Sequence, residues 1–229
     1  MLSCVSLYDE SGNMLRPWAE AGYDCHCIDL EGKSREEIIG KGKITFHQMD
    51  CLSEECRQLV HKLHPYFMFG FPPCTDVAVS GAKHFEKKMM DDPYCMAKAA
   101  DLAFRIPLLA HEVGAIWGFE NPKSMLKHYI GAPDHIFNPW EFGGYLPEDD
   151  VHPRWPDFIA PRDAYPKETW LWVSPKFKFP RRRCVYCPPG YSTQHTQLGG
   201  KSEKTKQIRS ETPRGFAIAV FLANRSKEL

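Results

Sequence analysis

YFMFGFPPCTDVAVSGAKHF, residues 66–85, is the stretch on which the fold turns. Its first six residues are apolar throughout, as expected of a strand with both faces covered in a parallel sheet. The run ends at Pro72-Pro73, which lock φ and remove two amide donors, so the chain leaves the sheet in a fixed direction. Cys74 sits at the tip. The loop behind it, with Ser80 and Gly81, is expected to be small and mobile enough to close over a ligand.

Strands and helices alternate on either side of this point. Residues 2–8 (LSCVSLY) read as a strand and 13–22 as a helix, with Pro17 early, where a missing N–H is tolerated, and Gly22 as its stop. Residues 25–30 and 43–49 read as strands, 53–63 as a helix capped by Ser53, and 94–113 as the longest helix, which Pro107 is expected to kink or restart. Residues 114–120 are a fifth strand. Such alternation implies an α/β fold built on a mostly parallel, doubly wound sheet. From about 131 to 200 the pattern gives way to Pro, Gly, aromatic and basic residues, with TWLWV (169–173) a strand. Residues 212–225 return to a helix whose apolar stripe should pack back onto the sheet.

At 229 residues the chain can bury a full core, and a hydrophobic share of 43% is that of a folded protein rather than a disordered one. No apolar run approaches the roughly 20 residues needed to span a bilayer, and the N-terminus lacks the features of a secretory signal. No membrane association and a cytoplasmic location are therefore expected. The nine cysteines are scattered and odd in number, which fits reduced thiols better than a disulfide framework. Net charge is zero, but residues 1–150 carry 14 Lys and Arg against 23 Asp and Glu, whereas 151–229 carry 15 against 6. A basic C-terminal third, including Arg181-Arg182-Arg183, would attract a polyanion; a solvated surface is the bland alternative.

In open α/β sheets ligands bind beyond the carboxyl ends of the strands. The predicted strands end at Tyr8-Asp9-Glu10-Ser11-Gly12-Asn13, at Asp29, at Asp50, at Pro72-Pro73-Cys74 and at Glu120-Asn121-Pro122. Singly, each reads as a helix cap, a small buried thiol or an ordinary turn. Their recurrence after successive strands marks one functional rim.

With those residues in view, the chain resembles the S-adenosylmethionine-dependent cytosine-C5 methyltransferase family, in the compact form found in bacteriophages. FPPCTDVAVSG is similar to that family's catalytic loop, FENPKS to its Glu-Asn-Pro motif, SLYDESGNMLRPWAEAGY to its cofactor loop, and GGKSEKTKQIRSETPRGFAIAVFLAN to its closing segment. The two catalytic motifs come in the family's order, 46 positions apart from Cys74 to Glu120.

The resemblance implies a Rossmann-like class I methyltransferase: a catalytic and cofactor domain over 1–165, a reduced recognition region over 166–210, and a helix over 211–229 packing back on the catalytic domain. DNA would be the partner, with the cytosine flipped from a duplex or taken from a single strand, in a bacterial host. Nothing calls for an obligate protein partner. Cys74 would be the nucleophile, presented by Pro73 and adding to C6 so that C5 becomes enamine-like and can accept a methyl group. Glu120 would donate or share a proton at N3 and the exocyclic amine, and Asn121 would hold the loop. Tyr8, Glu10, Gly12, Asn13, Asp29, Asp50 and Pro72 would line the cofactor site. Ser80, Lys167, Thr169 and Arg182 would meet the substrate, with YPKETWLW the nearest match to the family's base-contacting strand.

Three positions depart from the family pattern: Glu10 stands where its first loop glycine is usual, Thr75 replaces glutamine, and Ala78 replaces serine. Modification of a free cytosine nucleotide, a variant donor, and a non-catalytic DNA-binding homologue therefore stay open. Cys184-x2-Cys187 with His195 supplies three of the four ligands of a structural zinc site; ordinary loop thiols are the favoured alternative.

Overall fold

The computed structural model describes residues 1–190, 192–198 and 202–227, and their side chains except that of His195. The chain divides into two compact units, 1–136 with 169–177 and 137–168 with 178–229. In order, the elements are β1 (Ser3–Leu7), α1 (Arg16–Glu20), β2 (Asp24–Asp29), β3 (Arg35–Ile39), β4 (Gly42–Gln48), α2 (Glu54–Leu63), β5 (Phe67–Gly70), α3 (Phe85–Asp91), α4 (Cys95–Val113), β6 (Ile116–Pro122), α5 (Lys127–Ile130), β7 (His135–Phe137), β8 (Thr169–Val173), α6 (Thr193–Gln197), α7 (Glu203–Ser210) and α8 (Arg214–Asn224). Short 3-10 turns occupy Val79–His84, Pro139–Tyr145 and Pro161–Asp163.

The strands form one sheet in the order β3-β4-β2-β1-β5-β6-β8-β7. The five strands from β4 to β6 are mutually parallel, while β3 runs antiparallel to β4 and β8 antiparallel to β6. The fold is α/β and Rossmann-like, as the alternation predicts. Strand order reverses between β1 and β5, which makes the crevice at their carboxyl ends the switch point where such sheets bind ligands. All four residues of β5 are buried. Trp18 of α1 stacks on Phe67 at 4.5 Å on one face, and α4 buries Ala103, Ile106 and Ala110 in a common core with Val5, Met68 and Phe119.

Ser53 caps α2 through its hydroxyl, which accepts from the Cys56 amide. The first helix differs from the 13–22 reading because residues 13–15 form a turn, directly after an Asx turn closed by Asp9. Its Oδ1 accepts from the Ser11 amide and hydroxyl and from the Gly12 amide, at 2.7–3.0 Å. The Leu15 and Arg16 amides both donate to Gly12 O, and helix starts at Arg16. Pro107 lies inside an unbroken α4 rather than restarting it. β3 went unread because REEII lacks a clean alternation; it is an edge strand with mostly exposed residues, joined to β4 through Gly40 at φ 57°. Residues 79–91 form a 3-10 turn and α3 rather than a small mobile loop.

Gly12 has φ 69°, and a Cβ there would come within 2.8 Å of Cζ of the buried Phe46. Gly12→Ala is expected to cost about 1–3 kcal/mol from the left-handed backbone alone, read as a lower urea midpoint.

In the second unit, α8 packs through Phe216 on Phe137 and Phe142, at 4.2 and 5.2 Å. A polar network fixes the start of this helix. Arg214 makes a bidentate pair with Asp150 at 2.6 and 2.8 Å, and Asp163 Oδ2 accepts from the Gly215 amide at 2.9 Å. His152 Nδ1 accepts from the amides of Arg154 and Trp155, so the proton sits on Nε2, 3.8 Å from Glu211.

Burial pushes the Asp163 carboxyl up to about 6 and the His152 imidazole down to about 4, the latter aided by the Arg214 charge. Above pH 4 the unfolded chain protonates His152 more than the folded one, so this contribution to stability rises with pH up to the unfolded value near 6.5. Asp163 does the reverse, holding its proton in the fold up to about 6. The two slopes oppose each other. Asp163→Asn is expected to unmask the histidine slope, a rise of up to roughly 3 kcal/mol between pH 4 and 6.5, measured by chemical denaturation of the full chain.

Candidate active site

The β1 exit is built on backbone geometry. Tyr8 has φ 57°, its amide donates to Ile28 O, and its hydroxyl donates to Leu102 O of α4 at 2.9 Å; burial raises that hydroxyl well above the usual phenol. Glu10 is exposed, and its carbonyl accepts from Arg35 Nη2 at 3.1 Å. The Arg35 guanidinium lies 3.5 Å over the ring of Phe46, the same ring that closes off Gly12. Asn13 Oδ1 accepts from Arg16 Nε.

Asp29 ends β2 half-buried, with Oδ1 accepting from the Glu31 amide at 2.7 Å. Burial first, and then the charges of Asp9, Glu31 and Glu10, push its carboxyl above the usual range. Asp50 is exposed, and its Oδ1 accepts from the Leu52 amide. The carboxylates at the ends of β1 and β2 thus form an acceptor set suited to ribose hydroxyls and to a cationic group. That chemistry fits S-adenosylmethionine, which carries both.

At the other side of the switch point, the Phe71 amide still donates to Leu7 O, after which Pro72 and Pro73 carry no donors. Pro72 is buried, Pro73 exposed and Cys74 half-buried. The Cys74 carbonyl accepts from the amides of Val77 and Ala78 at 3.1 and 2.8 Å, turning the chain sharply behind the thiol. β6 runs beside β5, with Gly70 opposite Phe119. Glu120 and Asn121 therefore lie at the end of the strand next to the one that Cys74 follows.

Two sets of bonds join these exits. The buried Asn121 Nδ2 donates to Pro72 O at 2.9 Å. Beyond it, the Val79 amide donates to Lys123 O and the Met125 amide to Val77 O, around a bridge between Ala78 and Ser124. Glu120 is half-buried, with Oε2 shielded from solvent, and sits opposite Leu171 of β8. Thr169 opens β8, buried and paired with Pro122. Ser80 is exposed in the 3-10 turn behind the cysteine loop.

The first unit thus carries Tyr8, Glu10, Gly12, Asn13, Asp29, Asp50, Pro72, Pro73, Cys74, Glu120 and Asn121 on its strand exits. Lys167 and Arg182 belong to the second unit. Lys167 donates through its amide to Asn138 Oδ1 and through Nζ to Arg209 O. Arg182 pairs with Glu141 and covers the ring of Phe179. Cys184 is exposed and Cys187 half-buried, none of the nine cysteines forms a disulfide, and the side chain of His195 lies outside the described residues. Among the described residues no three His, Cys, Asp or Glu converge as metal ligands, and no helix is long and apolar enough to cross a membrane.

In the sequence Asp9 reads as a rim residue without its turn-closing role, and Arg35 is not singled out. Asp9 had a signal, since Asp followed at two and three positions by Ser and Gly is an Asx turn. Arg35 had none, because its role needs the β3–β4 pairing.

No family model matches the chain, and no curated protein matches it. Among solved structures, one match is an E. coli chain described as a DNA modification methyltransferase encoded within a prophage. It is 14% identical, with a TM-score of 0.44 over 76% of this chain and 46% of that one. The present chain spans less than half the length of that structure.

Proposed function

We propose that this chain transfers a methyl group from S-adenosylmethionine to C5 of cytosine in DNA, through a covalent bond between the Cys74 sulfur and C6. The observation that carries this reading is the Asn121 Nδ2 to Pro72 O hydrogen bond, which ties the exit bearing Glu120 to the exit bearing Cys74 at adjacent strand ends. When bound, S-adenosylmethionine supplies an electrophilic methyl group on a sulfonium.

The chain's own residues do the rest. Asp29 and Asp50 accept hydrogen bonds from the cofactor's hydroxyl and amine groups, and the carboxylates of Glu10 and Asp29 offset its positive charge. Pro72 and Pro73 aim the thiol, and Asn121 holds their loop. Addition of the Cys74 thiolate at C6 moves electron density toward C5 and N3. Glu120 meets that charge with a proton or a strong hydrogen bond at N3 and the exocyclic amine. Once C5 has taken the methyl group, loss of the C5 proton to water and departure of the Cys74 sulfur as thiolate restore the aromatic ring. A cytosine stacked in a duplex cannot present C6 to a thiol, so the base must leave the stack. The basic residues beyond position 150 supply phosphate contacts, with 166–210 as the recognition region.

The test pairs two substrates. Labelled methyl from the cofactor is offered with duplex DNA and, separately, with dCMP, and DNA carrying 5-fluorocytosine is used to trap the adduct. Label in duplex DNA together with a trapped adduct at Cys74 is expected. Label in dCMP alone moves the substrate to a free nucleotide, and neither label nor adduct removes the enzymatic reading.

A further inference from the structure

Cys74 is held from two sides, and only one of them has a place in the chemistry above. Upstream, Asn121 fixes Pro72 O. Downstream, Lys88 of α3 reaches back thirteen residues, its Nζ donating to Thr75 O at 2.5 Å and to Asp76 Oδ1 at 2.8 Å. The Lys88 side chain is 29% exposed and that of Asp76 40%, so the ion pair by itself contributes little. The bond to Thr75 O is different in kind, since it fixes main chain one peptide from the nucleophile.

Resting on the proposed reaction, we infer that Lys88 is a positioning residue for the Cys74 thiol, the second jaw of a clamp whose first is Asn121. Three observations converge on this. Pro72 and Pro73 set the direction in which the chain reaches Cys74 but cannot set the direction in which it leaves. The bonds from Val77 and Ala78 to Cys74 O close a turn behind the thiol, and the carbonyl inside that turn, Thr75 O, is the one Lys88 takes. Finally, Val79–His84 and α3 run on from the turn as regular structure, so the lysine is carried on a helix rather than on a free tail. Misplacement of a nucleophile by about 1 Å costs on the order of 10²-fold in rate.

A lysine near a DNA-binding rim has an obvious other role, a phosphate contact, and the two roles separate in measurement. Lys88→Met keeps the stem and removes the donors; Lys88→Arg keeps both charge and donors; Asp76→Asn removes the ion pair while leaving Thr75 O its lysine. Adduct formation on 5-fluorocytosine DNA is followed in single turnover at saturating DNA, alongside the DNA Kd and its salt dependence. Amide hydrogen exchange of residues 74–79 is followed in the protein alone.

Lys88→Met is expected to slow adduct formation at least tenfold, leave Kd within about twofold, and speed exchange at Val77 and Ala78 at least tenfold. Lys88→Arg is expected to restore both rates to within about threefold, and Asp76→Asn to fall between. A weaker Kd with a reduced salt slope and an unchanged saturated rate would make Lys88 a phosphate contact and overturn the inference. Unchanged hydrogen exchange would overturn it as well. If the wild-type chain forms no adduct, the proposed reaction falls, and the exchange comparison still decides whether Lys88 clamps the loop.

Discussion

Cys74→Ser is expected to lower methyl transfer to duplex DNA by on the order of 10⁴-fold or more, with the DNA Kd within about twofold of the parent. The physical reason is that a hydroxyl is far less acidic than a thiol and its oxygen is a weaker nucleophile toward an electron-poor ring carbon. Cys74 is half-buried and its carbonyl, not its sulfur, closes the turn with Val77 and Ala78. The fold should therefore tolerate the change, and thermal melting serves as the control. Trapping on 5-fluorocytosine DNA, followed by peptide mass spectrometry, must vanish together with turnover. A serine variant that keeps a tenth of the parent rate would remove Cys74 from the chemistry.

Glu120→Gln is expected to slow single-turnover transfer by about 10²–10⁴-fold, the range for loss of a positioned acid or base. Glutamine keeps the shape and can still donate a hydrogen bond, but it cannot pass a proton to N3. The loss should appear in the saturated rate rather than in DNA affinity. Glu120 shares β6 with Asn121, whose bond to Pro72 O is untouched by the substitution, so the cysteine loop stays in place. A variant with weakened binding and a parental saturated rate would assign Glu120 to recognition instead.

Much of the sheet was legible because its signals are local. β5 is apolar at every position, the strand 169–173 matches TWLWV residue for residue, and Ser53 caps α2 as its residue type predicts. The strand exits bearing Cys74 and Glu120 were legible for the same reason, since Pro-Pro and Asn-Pro end strands by their own covalent geometry. What failed were features that depend on partners distant in the chain. β3 is a charged edge strand that pairs only with β4 in the sheet. The first helix starts at Arg16 rather than Asn13, because residues 13–15 form a turn instead. Pro107 was carried through α4 because tertiary packing of Ala103, Ile106 and Ala110 outweighs the local cost.

The sequence by itself determined a parallel α/β sheet and the chemical types on its rim, because periodicity and proline chemistry act within a few residues of themselves. Only the tertiary structure decided which of those groups are joined. The hold of Asn121 on Pro72, of Lys88 on Thr75, and of Arg35 on the Glu10 carbonyl link residues 49, 13 and 25 positions apart. Hydrogen bonds of that span exist only once the chain has folded and brought those segments together.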